Sequence, residues 1–199
     1  KGDHALGVLA ALKAAGYRGH LSLQCRFESL DAAFLDALDG LDVTLELGLQ
    51  TIHLSEGRAV QRFNRLEVVD RALADLRGRG IDHEVSLIYG LPEQTLASFR
   101  ATVDWCLRRR VPRVRAFPLM LLRGTPLEQA RATWALEEDE QPIPAVVSSS
   151  TFDRADHAAM VRLAAALRAT EDRHPPCVEA LDAVDGGAPP SRSPAGGAW

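Results

Sequence analysis

Strict alternation of polar and apolar residues marks four segments of the chain, and stretches with helix-spaced apolar residues separate them. The alternating segments predict β-strands at 20–27, 43–50, 85–91 and 114–122. The helix-spaced stretches predict helices at 5–15, at 66–79 and at 96–110, the last capped by Thr95, and two more that begin after Ser29 and after Asp153. Strands that alternate with helices indicate βαβ crossovers, and therefore an α/β fold with a parallel sheet.

The spacing of the strands narrows the architecture. Successive strands begin about 31 residues apart, close to the roughly 30 residues that each unit of a (β/α)₈ barrel occupies. Four strands cannot close such a barrel, so we expect either a small open sheet or a barrel whose earlier units are absent from the sequence. An antiparallel sheet with one solvated face is the alternative that the alternation alone leaves open.

The polar face of the strands carries the candidate chemistry. Parallel strands usually have apolar side chains on both faces, whereas here only one face is apolar. We therefore expect helices to cover the apolar faces and the polar faces to line a shared interior that holds a polar ligand. The interior positions are Gln24, Glu46, Gln50 and Ser86.

Glu46 is the candidate catalytic residue of this face. A carboxylate inside the sheet can contact substrate or act as an acid or base. It can equally pair with Arg26 or Arg115 across the interior. The sequence leaves these roles open.

Composition excludes several classes of protein. The chain is 46% hydrophobic and 25% charged with a net charge of −4, and no apolar run approaches the roughly 18 residues of a membrane span. We expect no membrane and no nucleic acid as partner. Cys25, Cys106 and Cys177 lie too far apart to form a zinc site by themselves, and three unpaired thiols suit a reducing cytoplasm. The Ala- and Arg-rich composition suggests a bacterial source.

The ends of the chain differ from its middle. The sequence begins at Lys1 inside a helical pattern, without the architecture of a signal peptide, so we expect a fragment of a longer protein. Three regions are predicted: a barrel core over 1–128, a mostly helical extension over 129–185, and a disordered tail rich in Gly and Pro over 186–199.

Five short segments, taken in order, resemble the radical S-adenosylmethionine (radical SAM) enzymes. The segments are ELGLQT (46–51), FNR (63–65), SLIYGLPEQT (86–95), FPL (117–119) and RGTPL (123–127). The branch that they resemble contains oxygen-independent coproporphyrinogen oxidases and cobalamin-binding radical SAM proteins. Each segment is weak alone, but the ordered set, which covers about residues 1–128, is specific.

This resemblance implies a TIM-like partial (β/α)₆ barrel, of which the four strands would be the third to sixth. It also implies that a [4Fe–4S] cluster on three cysteines reductively cleaves S-adenosylmethionine to a 5′-deoxyadenosyl radical, which attacks a substrate. Its expected partners are a small-molecule or cofactor-precursor substrate and an electron donor such as flavodoxin or ferredoxin. The resemblance is also compatible with a cobalamin cofactor in a preceding domain. The CxxxCxxC motif for the cluster is absent from this sequence, so we expect its cysteines upstream of Lys1 and this chain alone to be inactive.

The resemblance assigns binding roles by position. Gln50 would bond the ribose hydroxyls and Arg65 would pair with the methionine carboxylate. The adenine would be held by two segments, through Ile88, Gly90, Leu91 and Pro92 in one and Phe117 and Leu119 in the other. Gln24 and Ser86 stand where the family often has Glu and Asp; they can still hydrogen-bond a ligand but lose the charge attraction.

Two other functions remain open from the sequence. The chain can be a degenerate barrel without a cluster that acts as a binding or partner subunit. It can also be an unrelated β/α-barrel enzyme that uses Glu46 as an acid or base.

Overall fold

A computed structural model describes residues 2–184 of the protein. In it, helices pack on a parallel sheet. The main strands are β1 (Leu21–Cys25), β2 (Val43–Gln50), β3 (Asp82–Tyr89) and β4 (Arg113–Pro118), and a hairpin adds β5 (Glu137–Glu138) and β6 (Val146–Ser148). The helices are α1 (Gly2–Ala14), α2 (Ala32–Ala37), α3 (Leu54–Ala59), α4 (Leu66–Arg79), α5 (Leu96–Arg108), α6 (Pro126–Gln129), α7 (Arg154–Ala169) and α8 (Val178–Asp182). The predicted disordered tail lies outside the described residues.

The four main strands form one sheet in the order β1-β2-β3-β4, and every neighbouring pair is parallel. The predicted parallel α/β sheet is thus confirmed, and the antiparallel alternative is wrong. β1 and β4 are the two edges of this sheet and do not pair with each other, so the described strands form an open sheet. The polar face of the sheet, called the open face here, carries exposed side chains such as Gln24, Arg115 and Phe117.

Local sequence signals set the ends of the long helices. α4 ends at Gly80, whose φ of +65° is a left-handed conformation that suits glycine. α5 begins with a capping box in which Thr95 and Ser98 bond each other's backbone amides. Asp153 caps α7 in the same way, together with Asp156.

Some predicted boundaries were wrong. Asp31, and not Ser29, caps α2, since Ser29 lies in a 3₁₀ turn and the Asp31 carboxylate accepts a hydrogen bond from the amide of Phe34. The fourth strand stops at Pro118, whose ring leaves no N–H for a ladder. The sequence patterns gave no sign of α3, α8 or the small hairpin.

The apolar face of the sheet forms one core with the helices. Leu45 and Leu47 of β2, and Val85 and Leu87 of β3, have no solvent exposure, and the apolar faces of α4, α5 and α7 pack in the same cluster. Residues beyond 128 therefore share the core of the strands, through Met160 for example. Within residues 2–184, none of the helices has the length and apolarity needed to cross a membrane.

Candidate functional site

The open face of the sheet aligns the polar residues in rows. In one row, Gln24, Glu46, Glu84 and Arg113 lie side by side on the four strands. The next row, nearer the carboxyl ends of the strands, holds Gly48, Ser86 and Arg115. The structure therefore brings Gln24, Glu46 and Ser86 to one surface, as the alternation predicted.

Glu46 is held by its neighbours on β1. The Ser22 hydroxyl donates a hydrogen bond to one carboxylate oxygen, and Gln24 Nε2 donates to the other at 3.2 Å. The Ser22 bond first, then the Gln24 bond and the charge of Arg115, lower the pKa of Glu46 below its ordinary value. Arg115 forms its ion pairs elsewhere, with Glu84 at 3.2 Å and Glu171 at 3.0 Å. Glu46 is therefore an ionised acceptor at neutral pH.

Glu84 has the opposite environment. Its side chain is only 9% exposed, and burial raises its pKa despite the nearby guanidinium of Arg115. The adjacent carboxyl groups of Glu46 and Glu84 thus have pKa values displaced in opposite directions.

Gln50 lies where β2 ends in a bulge. Its φ of +62° is left-handed, which is uncommon outside glycine, and the ladder with β3 shifts register between Gly48 and Gln50. The side chain is 6% exposed, and its Oε1 has no hydrogen-bond partner among the described residues. A buried amide oxygen without a partner costs free energy until something donates to it.

Gln94 fixes the loop that follows β3. Its Oε1 accepts hydrogen bonds from the amides of Gly90 at 2.7 Å and Leu91 at 3.3 Å, while its Nε2 donates to Ile88 O at 3.1 Å. Gln94 has no solvent exposure, so these bonds form in a dry environment. The backbone from Ile88 to Leu91 is therefore held by one side chain.

Glu56 connects this loop to the end of β2. Its Oε2 accepts from Gln94 Nε2 at 3.2 Å and from the Thr51 hydroxyl at 2.6 Å, and the residue is 1% exposed. Gln94 and Thr51 belong to the motifs quoted from the sequence but received no role there, and Glu56 was not singled out. Because each is a polar residue in a loop or at a helix start, nothing in the pattern of the sequence predicts their burial.

The residues predicted to cradle adenine surround the same loop. Leu91, Pro92 and Leu119 are buried, Ile88 is half-buried, and Phe117 is 44% exposed on the open face. Leu119 follows β4 directly, and its amide still donates to Tyr89 O at 2.8 Å. These residues come close together at the carboxyl ends of β3 and β4.

Gly90 is required by the chain itself. Its φ is +88°, and an added Cβ would lie 3.2 Å from Val146 O on the hairpin strand β6. The expectation that a ligand excludes a side chain here now has a second explanation, because the protein's own backbone already does so.

Arg65 and His53 differ in what they contact. Arg65 is exposed at the start of α4 and forms no ion pair with the described residues. Its neighbour Asn64 donates to Leu49 O at 2.9 Å, which ties this loop to β2. His53 Nε2 lies 3.1 Å from Ser98 O, a structural contact.

Residues 2–184 contain no group of three or more His, Cys, Asp or Glu side chains that could hold a metal ion.

Solved structures that are similar to this chain include radical SAM enzymes. The radical S-adenosylmethionine methyltransferase TsrM from Kitasatospora setae, solved with cobalamin and a [4Fe–4S] cluster, superimposes with a TM-score of 0.60 at 17% identity, covering 80% of this chain and 40% of that one. Coproporphyrinogen III oxidase from Escherichia coli superimposes with a TM-score of 0.51 at 24% identity, covering 59% of this chain and 28% of that one. At these identities the likeness shows a shared fold.

In sequence, an uncharacterized protein from Methanocaldococcus jannaschii is 27% identical over 114 residues, which are 55% of this chain and 35% of that protein. No protein-family model matches the chain. The chain thus spans about a third of the length of the relatives described here. The coarse prediction, an α/β fold with a parallel sheet similar to that of radical SAM enzymes, is confirmed.

Proposed function

We propose that this chain forms part of a radical SAM enzyme and that the open face of its sheet binds the adenosyl group of S-adenosylmethionine. The likeness in fold supports the class of enzyme. The observation that carries the binding proposal is the unpartnered Oε1 of Gln50, buried beside the carboxyl ends of the strands.

A ribose hydroxyl suits this oxygen. Ligands of open α/β sheets bind at the carboxyl ends of the strands, where Gln50 lies. A hydroxyl that donates to Gln50 Oε1 would remove the cost of leaving a buried acceptor unpaired. The left-handed backbone of Gln50 supports the same idea, because strained residues are often found at binding sites.

The other positions around the loop complete the proposed site. The backbone of Gly90 and Leu91, held by Gln94, and the exposed ring of Phe117 would contact adenine. Arg65, with no ion pair to a described residue, would take the methionine carboxylate. Gln24 and Ser86 would offer neutral hydrogen bonds from the sheet.

S-adenosylmethionine, once reduced, supplies the chemistry of hydrogen abstraction, and the role proposed for this chain is to hold and orient it. The described residues do not fit an iron–sulfur cluster, because Cys25, Cys106 and Cys177 form no group that could hold a metal. The proposal therefore assigns the cluster to residues outside this range. The lowered pKa of Glu46 keeps it ionised, which argues against its use as a general acid.

Binding of 5′-methylthioadenosine tests the proposal, because this nucleoside carries the adenosyl group without the amino acid. We expect calorimetry to show saturable binding to the chain and Gln50→Ala to weaken it by about tenfold, the effect of one hydrogen bond of roughly 1.4 kcal/mol. Gln61→Ala is the matched control, since Gln61 also has a left-handed backbone, with φ of +54°, but an exposed side chain. Absence of binding, or equal binding by Gln50→Ala and the parent, would contradict the proposal.

A further inference from the structure

A pocket of about 470 Å³ lies beside the open face, at the end of β1. Its polar lining consists of Gln24, Arg26, Ser29, Asp31 and Arg62. The sequence motifs assign no role to Arg62, and Arg26 does not form the ion pair with Glu46 that the sequence left open. Neither arginine forms an ion pair with a described residue. Two arginines therefore line the pocket, and neither is paired with a carboxylate of the described residues.

Arg62 reaches over β2 to the site of Gln50. A Cβ added to Gly48 would lie 2.8 Å from Arg62 Nη2 and would also collide with Gln50 Nε2. The guanidinium of Arg62 and the amide of Gln50 thus lie over the same glycine. Through Arg62 the pocket borders the buried Gln50 side chain with its unpartnered oxygen.

The charge in the pocket is positive. Asp31 is the one acidic residue in its lining, and its Oδ1 accepts the Phe34 amide at 2.8 Å as the cap of α2. Two guanidinium groups thus face one carboxylate that the helix already uses. Guanidinium groups bind the oxygens of carboxylates and phosphates with paired hydrogen bonds.

We propose that Arg26 and Arg62 bind an oxyanion of the substrate, a carboxylate or phosphate group, next to the adenosyl site. The inference rests on the proposed function, which it deepens by naming the class of substrate as anionic. The pocket would fix the substrate beside the adenosyl group, since Arg62 and Gln50 share the surface of Gly48. Arg65, at the start of α4, stays free for the carboxylate of S-adenosylmethionine.

The test uses two anions as probes, inorganic pyrophosphate and tricarballylate, titrated into the chain with chloride of equal ionic strength as the reference. We expect saturable binding of at least one probe, and a loss of about tenfold in affinity in Arg62→Gln and, separately, in Arg26→Gln. Arg71→Gln is the matched control, because Arg71 is exposed on α4 and forms no ion pair with the described residues. Failure of the parent to bind either anion beyond chloride, or equal binding by all variants, would overturn the inference.

Measuring the binding of 5′-methylthioadenosine by the same variants distinguishes this inference from the proposed function. Arg62→Gln should bind 5′-methylthioadenosine as the parent does, and Gln50→Ala should still bind the anion. If the parent chain binds an anion but not 5′-methylthioadenosine, the adenosyl site is refuted and the arginine pocket stands. If the parent binds the nucleoside but neither anion, the arginine pocket is refuted and the adenosyl site stands. S-adenosylhomocysteine adds a third arm: if Arg62→Gln removes its extra affinity over methylthioadenosine, Arg62 holds the cofactor's own carboxylate and the substrate pocket is refuted.

Discussion

Replacing Gln94 with leucine should strongly lower the free energy of unfolding of the protein, although the two side chains have similar size. Leucine would leave the buried amides of Gly90 and Leu91 without their acceptor, and the carboxyl group of Glu56 without one of its two donors. An orphaned buried group costs about 1–3 kcal/mol. For the two orphaned amides, together with the bonds that Glu56 and Ile88 O lose and with some relaxation of the loop, we expect a loss of about 3–5 kcal/mol in the free energy of unfolding.

Urea unfolding followed by circular dichroism measures this loss. With a slope on the order of 2 kcal/mol per molar urea, the midpoint should fall by about 2 M. Gln141→Leu is the control, since Gln141 is exposed and its midpoint should change little. A double-mutant cycle with Glu56→Gln should show a coupling of about 0.5–3 kcal/mol, because the two side chains touch.

Two results would refute the reasoning. A midpoint in Gln94→Leu within about 0.3 M of the Gln141→Leu control would mean that water or another group replaces the lost bonds. Native-state hydrogen exchange gives the second check, because the amides of Gly90 and Leu91 should exchange far faster in the variant. Unchanged protection of both amides would show that Gln94 does not hold the loop.

Three further outcomes are expected. Phe99→Ala should cost about 3–5 kcal/mol in urea unfolding because the ring is fully buried, whereas Phe63→Ala, with the ring 58% exposed, should cost under about 1 kcal/mol. Cys106 should resist maleimide until the protein is unfolded, because burial raises the pKa of its thiol to about 12, and mass spectrometry locates the label. His174 Nε2 accepts the amide of Val114 at 3.0 Å, and burial lowers the pKa of its imidazole. The contribution of the neutral imidazole to stability is therefore present above its ordinary pKa of 6.5 and is lost as the pH falls through the lowered value. We expect the urea midpoint to fall between pH 6.5 and that lowered value. The midpoint of His174→Gln should fall less over the same pH range.

The sequence predicted the elements whose signals are local. α4 has the predicted bounds because its apolar stripe runs over four turns and Gly80 ends it. The caps Thr95 and Asp153 were predicted because their side chains bond the backbone a few residues away. α3 and β5, of six and two residues, were missed, since the sequence shows no clear helical or alternating period over them.

In the candidate site too, the sequence predicted what depends on local pattern and missed what depends on contacts between distant residues. Alternation placed Gln24, Glu46 and Ser86 on one face, because the side-chain period of a strand is fixed. No pattern could place Arg62 over Gly48, since that contact depends on how the loop after α3 folds back. Predicting it would have needed the three-dimensional path of that loop.

The order of the strands has a consequence for how the chain is made. β2, β3 and β4 each pair with the strand that comes just before them in the sequence, so no strand of this sheet pairs across an intervening strand. Such a topology lowers the contact order and lets a ribosome-bound chain add one unit after another, without waiting for a distant partner. We therefore expect synthesis from the amino end to let the sheet form in the same direction, from β1 to β4.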